Sequence, residues 1–131
     1  MDLRIRVAFL ALVLTQIAHS VEEYISRFYE VFPPARLLNE LVPGFTRPGF
    51  VIVNTLLALF GLWCSLSHVR PASKSARDWV WIWVVIEIFN GLAHSAWAII
   101  SRGYVPGLAT SPILFAFAAY LFHRLRATPE P

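Results

Sequence analysis

One short segment, His19-Ser20-Val21-Glu22-Glu23, carries three ionisable side chains at the end of an otherwise apolar stretch. At roughly 100° per residue of an α-helix, the polar residues of this stretch fall within about 60° either side of His19 and form one stripe. The stripe consists of Thr15, Gln16, His19, Glu22, Glu23 and Ser26. Imidazole and carboxylate groups that share a helix face can bind a metal ion or transfer protons. Ionisable groups at membrane depth normally face a bundle interior, so the stripe predicts a functional site.

A second polar stripe lies in a later apolar stretch, within Glu87-Ile88-Phe89-Asn90-Gly91-Leu92-Ala93-His94. Asn90 and His94 fall within roughly 60° of Glu87 on a helix. His19 and His94 each lie about 14 to 15 residues into their stretches, so we expect the two imidazoles to face each other at one depth. Secondary site residues are expected from the same face and its neighbours: Asn54, Trp83, Trp97 and Tyr104.

Two kinds of chemistry are open to the six candidate catalytic residues, which are His19, Glu22, Glu23, Glu87, Asn90 and His94. Histidine and glutamate offered by facing helices can form a nitrogen and oxygen cage for Zn²⁺, Fe²⁺ or Mn²⁺. The candidate metal ligands are His19, Glu22, Glu87 and His94. Without a metal, the same groups could act as a general acid and base. The structural alternative is that these residues only hold helices together, but a charge at a helix centre costs about 2.5–3.5 kcal/mol on insertion, which favours function.

Glu22 and Glu23 are expected to have different roles although they are neighbours. They lie on opposite sides of the direction of His19, about 60° one way for Glu22 and about 40° the other way for Glu23. One carboxylate should reach the site, and the other should orient a histidine from outside it. The spacing leaves open which carboxylate takes which role.

Composition indicates that lipid is the solvent for much of the chain. Of the 131 residues, 57% are hydrophobic and 15% are charged, against about 25% charged in ordinary soluble domains. We expect an all-α membrane protein, a four-helix transmembrane bundle that forms a single domain over residues 1–131. With the ~20 residues that a bilayer requires, the spans are placed at about 4–25, 50–68, 79–101 and 106–123, with an interfacial loop at 26–49. Val-Pro-Gly turns at 42–44 and 105–107 raise the alternative of two pseudo-repeated helix pairs.

Orientation follows from the Lys and Arg residues near the span ends, which favour the cytoplasmic side. One side has Arg4, Arg6, Arg70, Lys74, Arg77, Arg124 and Arg126, and the other has Arg27, Arg36, Arg47 and Arg102. The excess predicts a multi-pass protein of the cell membrane with both termini in the cytoplasm.

The two polar stripes resemble a known family. His19-Ser20-Val21-Glu22-Glu23 is similar to the signature of the HXXEE-domain family of small, predominantly prokaryotic membrane proteins. Asn90-x-x-x-His94, followed by the segment 104–110 (YVPGLAT), is similar to the second motif region of that family, and the similarity covers nearly the whole chain. The resemblance implies shared functional positions at His19, Glu22, Glu23, Asn90 and His94, and it names no reaction.

Three functions from different classes remain open. The leading one is a membrane enzyme for a lipid or isoprenoid-like substrate, by metal-assisted or general acid/base chemistry, with Trp83 and Trp97 able to stabilise a cationic intermediate. The second is a proton- or metal-ion-coupled transporter, and the third is a non-catalytic accessory or lipid-binding protein. The expected partners are membrane lipids and a small hydrophobic substrate. A homodimer would relieve the shortage of room for transport, and nucleic acid is not expected because no dense basic cluster is present.

Overall fold

The computed structural model describes residues 1–44 and 46–127, except for the side chain of Asn39, and most of these residues are helical. No strand occurs in these residues, which confirms the all-α class. The helices are α1 (Leu3–Ile25), α2 (Phe28–Val31), α3 (Pro33–Leu41), α4 (Thr46–Cys64), α5 (Ala76–Ser101) and α6 (Ser111–Ala127). Helix α4 continues through a π-helical turn at Ser65–Val69.

Three of the helices are long and apolar enough to cross a bilayer. They are Leu3–Ile25, the continuous helix Thr46–Val69, and Ala76–Ser101. Their outward faces carry large apolar side chains, among them Phe89 at 69% and Ile100 at 80% exposed. Such a surface is an aggregation liability in water, whereas lipid chains can cover it. The fold is therefore that of a membrane protein.

Helix α6 begins at Ser111 and not near Pro106, where the fourth span was expected to begin. The preceding turn contains Gly107 at φ +86°, which is outside the helical range. The backbone N–H of Thr110 donates to a side chain of α1 instead of to a preceding carbonyl. Pro112 is the second residue of α6, where its missing N–H leaves no helical bond unmade.

Helix α6 packs against both α1 and α5, and helix α4 packs against α1. Helices α1 and α5 meet through large side chains, such as Phe9 and Trp83, whose rings lie edge to face at 6.3 Å. Gly91 allows α5 to approach α6 closely, because a Cβ there would lie 2.7 Å from the Cβ of Phe115. This close approach brings the start of α6, and the turn before it, against α1 and α5.

One half of the bundle is an apolar core. Its fully buried members include Ile5, Phe9, Leu12, Val13, Val80, Trp83, Val84, Leu114, Leu121 and Leu125. Polar contacts tie the two termini together at this end: Asp2, the N-cap of α1, pairs with Arg124 near the end of α6. The Arg6 guanidinium donates to the Arg70 carbonyl at 2.9 Å. Both ends of the described chain therefore lie on one side of the bundle.

Helices α2 and α3 lie at the opposite end and connect α1 to α4. The left-handed conformation of Arg27, at φ 56°, turns the chain out of α1, and Pro33 begins α3 at a position that suits proline. The segment 26–49, expected to be an interfacial loop, therefore contains these two short helices and the start of α4. The aromatic rings of α2 point back into the bundle, since the Phe28 and His94 ring centroids lie 6.0 Å apart.

Candidate functional site

The buried polar groups of the bundle converge at the end opposite the termini. His19 and Glu23 lie one helical turn apart on α1, and His94 lies on α5; all three side chains are buried. The two imidazole rings meet edge to face with centroids 4.8 Å apart. The two histidines therefore lie at the same depth in the bundle, as expected.

His19, Glu23 and His94 form a compact triad of metal-ligating groups. Glu23 Oε1 lies 3.5 Å from His19 Nε2 and 3.3 Å from His94 Nε2. One ligand atom from each residue lies within 4.8 Å of the other two. Two imidazole nitrogens and a carboxylate oxygen at this spacing can surround a single ion, because metal–ligand bonds of about 2.0–2.2 Å are typical of such donors.

Glu22 points to the other side of α1 and holds the turn before α6. Its Oε1 accepts from the Tyr104 hydroxyl at 2.6 Å and from the Ala109 N–H at 3.0 Å. Its Oε2 accepts from the N–H and the hydroxyl of Thr110, at 2.9 and 2.6 Å. Four donors satisfy one carboxylate, so Glu22 anchors the turn and does not join the converging ligand atoms.

Thr110 connects Glu22 to His19. Its hydroxyl lies 2.7 Å from His19 Nδ1 and 2.6 Å from Glu22 Oε2. A hydroxyl has a single proton, and a carboxylate can only accept. The proton therefore goes to Glu22, and the hydroxyl accepts the N–H of His19 Nδ1. This arrangement orients the ring and directs Nε2 toward Glu23.

Two ring nitrogens of the triad have no hydrogen-bond partner among the residues that the structure describes. They are His19 Nε2 and His94 Nδ1, and both are buried. A buried polar atom without a partner is costly, and binding a ligand is one explanation of such an atom in a native structure. His19 Nε2 next to Glu23 Oε1 is a pair of acceptors that a cation would satisfy.

Gly107 closes the site from the turn side. A Cβ at this position would lie 2.6 Å from His19 Cε1 and 2.7 Å from His94 Cε1. The backbone of the turn therefore lies directly against both imidazoles, and only glycine fits there.

Glu87 lies in a second polar set rather than in the triad. It is fully buried, and the Asn90 amide donates to its Oε2 at 3.1 Å. The Gln16 amide, oriented so that its hydrogen bonds are satisfied, donates to the two Glu87 oxygens at 3.2 and 3.1 Å. The carboxylate that lies with the two histidines is therefore that of Glu23. The expected metal ligands Glu22 and Glu87 lie outside this group and bond to other partners.

The four secondary residues are placed differently from one another. Asn54 accepts from the Ser20 hydroxyl at 2.7 Å, beside the triad. Trp97 packs on His94, with ring centroids 6.4 Å apart. Trp83 shares a helix face with His94 but lies about 16 Å farther along α5, inside the apolar core. Angular position on a helix does not fix axial distance, so Trp83 does not line the triad.

Tyr104 lies outside the long helices, in the turn after α5. Its hydrogen bond to the Glu22 carboxylate raises the pKa of the Tyr104 phenol, because the phenolate would face a negative charge. The phenol therefore stays protonated and remains a donor that closes the turn over the site.

Three residues of the site were not singled out from the sequence: Gly107, Thr110 and Gln16. Gln16 is on the polar stripe of α1, so its helical face was a usable signal. Gly107 belongs to a Val-Pro-Gly turn, whose glycine could be read as a turn but not as a contact with two histidines. Thr110 closes the segment 104–110, which resembles the second motif region of the family, but its contacts with Glu22 and His19 depend on the turn folding back onto α1.

Comparison with known proteins identifies the family but no characterised relative. No curated protein and no solved structure is significantly similar to the chain. The model of one family matches residues 10–122, a segment that includes the triad, Glu22 and the turn that packs on them. The chain belongs to the HXXEE family, proteins of unknown function with an HXXEE motif.

Proposed function

We propose that the protein is a membrane-embedded enzyme that holds a divalent metal ion between His19, Glu23 and His94. The observation that carries the proposal is the buried triad, in which three ligand groups lie within 4.8 Å of one another. His19 Nε2 has no hydrogen-bond partner within the described part of the chain, and Thr110 fixes the ring so that this nitrogen faces Glu23. Metal-binding histidines commonly donate their other ring N–H to an oriented acceptor of this kind.

The donor set suits Zn²⁺, Fe²⁺ or Mn²⁺, since imidazole and carboxylate are ligands that all three accept. Three protein ligands leave a coordination position open, as in catalytic rather than structural metal sites. A bound ion would supply Lewis acidity or an activated water. The residues around it orient the ligands: Thr110 and Glu22 act on His19, and Gly107 packs the turn against both rings.

The same residues would serve a metal-free site as a general acid and base. Glu23 lies between two imidazoles, at 3.5 and 3.3 Å from their Nε2 atoms, which is near the range over which protons are transferred. The measurement that separates the two mechanisms is the metal content of the protein.

A lipid or isoprenoid-like substrate is proposed because the triad lies beside apolar and aromatic surface. The rings of Phe28 and Trp97 flank His94 at 6.0 and 6.4 Å. Aromatic faces of this kind bind hydrocarbon and can stabilise a developing cation. A proton or metal-ion relay across the whole membrane fits less well. Between Glu87 and the end that holds the termini, the described residues form an apolar core around Phe9, Leu12 and Val84.

We extend the proposal to topology, with α6 as a fourth membrane span and both termini in the cytoplasm. The excess of Lys and Arg at the end that holds the termini supports this orientation. Cysteine labelling at Ser73 and Ala35, in a Cys64→Ala background, tests it, since Ser73 should be reached only from the cytoplasmic side. Labelling of Ser73 from outside would contradict the orientation.

Elemental analysis of detergent-purified protein tests the metal site. Wild type should carry a stoichiometric transition metal, and His94→Ala should lose it. The matched control is His123→Ala, which removes a histidine from the exposed surface of α6. A metal-free wild-type protein after growth with each of the three metals would refute the metal site, and equal metal in both variants would place the ion elsewhere.

A further inference from the structure

Beside the triad is an apolar cavity that the site itself does not use. The cavity has a volume of about 250 Å³ and lies between α1, α2, α3 and α4. Its walls include Phe28, Phe50, Val53 and Ala35, and the carboxylate-bearing Glu23 is among its lining residues. An apolar cavity whose lining includes the proposed metal ligand Glu23 is suited to a hydrocarbon chain.

The size of the cavity limits what it can hold. Pockets for ordinary small ligands span roughly 300–1,000 Å³, so 250 Å³ is small even for one such ligand. It has room for part of a single chain and not for a two-chain lipid. The side toward α3 is formed by Ala35 and Leu38, on a short amphipathic helix of the kind that lies at a membrane surface.

A second, polar cavity lies on another side of Tyr29, which lines both cavities. It has a volume of about 310 Å³. Arg27 and Arg47 line it together with one acidic residue, Glu30. Arg27 pairs with Glu30 at 3.6 Å, through side chains that are 70% and 51% exposed. Two guanidinium groups and one carboxylate give this cavity a net positive charge, which is complementary to an anionic group.

We propose that the two cavities together bind a single-chain anionic amphiphile, with its head group at Arg27 and Arg47 and its chain in the apolar cavity, directed toward Glu23. The polar cavity supplies the charge complementarity, and the apolar cavity supplies a chain site that leads to the triad. This inference rests on the proposed function, because it names the substrate class of that enzyme. The head group can be a carboxylate or a phosphate, since guanidinium groups bind both.

The test uses the full-length protein in nanodiscs of zwitterionic lipid. The probe is a long-chain fatty acid with a diazirine near its methyl end, and crosslinks are mapped by mass spectrometry. Crosslinking should occur in the α4 peptide that contains Phe50 and Val53. A long-chain alkyl phosphate and the corresponding neutral alcohol are the competitors. Competition by the phosphate, and not by the alcohol, is expected; equal competition by the alcohol would overturn the assignment of the head group to the arginines.

Three variants fill or discharge the cavities. Ala35→Trp places an indole in the apolar cavity and should lower crosslinking by roughly tenfold or more, since it fills the volume that the chain needs. Leu37→Trp is its matched control, on the same helix but outside the cavity lining. Val53→Phe repeats the test from the opposite wall. Arg27→Gln should weaken competition by the phosphate roughly three- to fivefold, as expected for one exposed charge.

Metal content measured on the same samples separates the two proposals. Unchanged crosslinking in Ala35→Trp and Val53→Phe, with metal retained, would refute the amphiphile site and leave the metal centre standing. If these variants lose crosslinking and none of the samples contains metal, the amphiphile site is supported and the metal centre is refuted.

Discussion

The substitution Gly107→Ala tests how closely the turn before α6 controls the histidine pair. The added Cβ would lie 2.6 Å from His19 Cε1 and 2.7 Å from His94 Cε1. Carbon atoms pack at about 3.5 Å or more, so one or both rings, or the turn, must move by about 0.8 Å. Metal sites tolerate ligand distances within roughly ±0.2 Å. We therefore expect metal affinity to fall by at least the 10- to 100-fold typical of disturbed ligand orientation.

Backbone strain has to be separated from this contact. Gly107 has φ +86°, and an L-residue in that region costs roughly 1–2 kcal/mol. Gly44→Ala is the matched control, because Gly44 has φ +82° and a Cβ there would meet no atom of the described residues within 4 Å. Both variants should lose the stability that this strain costs, and Gly107→Ala should lose about 1–3 kcal/mol more because its Cβ must displace packed atoms.

The assay is a competition titration with a metal chelator on detergent-purified protein, with helicity followed by circular dichroism. Gly107→Ala should lose metal affinity at nearly unchanged helicity, and Gly44→Ala should keep wild-type affinity. Wild-type affinity in Gly107→Ala, or equal losses in the two variants, would refute the claim that the turn positions the imidazoles.

Substitutions at four further positions address other contacts of the site and the fold. Thr110→Val removes the hydroxyl that orients His19 and should weaken metal binding by roughly 10- to 100-fold, whereas Thr110→Ser should restore it. A titration in which serine does no better than valine would contradict the claim that the Thr110 hydroxyl orients His19. Glu23→Gln should abolish metal binding while Glu22→Gln reduces it partially, compared at equal folded yield, and equal losses would mean that the two carboxylates are not distinct. Gly91→Ala would place a Cβ 2.7 Å from the Cβ of Phe115 and should lower stability by about 1–3 kcal/mol, measured by thermal unfolding in detergent; unchanged stability would show that α5 and α6 are not closely packed there.

The length of the apolar stretches was sufficient to predict the long helices because lipid imposes a simple rule on them. Each span needs about 20 apolar residues, and α1 and α5 follow the expected limits closely, at Leu3–Ile25 and Ala76–Ser101. The start of α6 was harder to predict because it is set by tertiary contacts. The N–H groups of Ala109 and Thr110 bond to Glu22, a partner that is distant in the sequence.

The site was predictable in its histidines and less so in its carboxylates. Helical angles placed Glu22 and Glu23 on opposite sides of His19 and predicted separate roles, but both angles are small enough to allow either assignment. The position of the Gly107 to Thr110 turn separates the two carboxylates in space, because its donors bond to Glu22 and leave Glu23 facing His94. Long-range folding of this kind leaves no local pattern in a single sequence.

X-ray absorption spectroscopy of the purified protein is the most direct test of the metal centre. For a metal held by His19, Glu23 and His94, the spectrum should show two imidazole ligands at about 2.0–2.1 Å and at least one oxygen. In His94→Ala the imidazole scattering should fall to one ring, or the metal should be lost. A bound metal without imidazole ligands, or a wild-type spectrum in His94→Ala, would contradict the account.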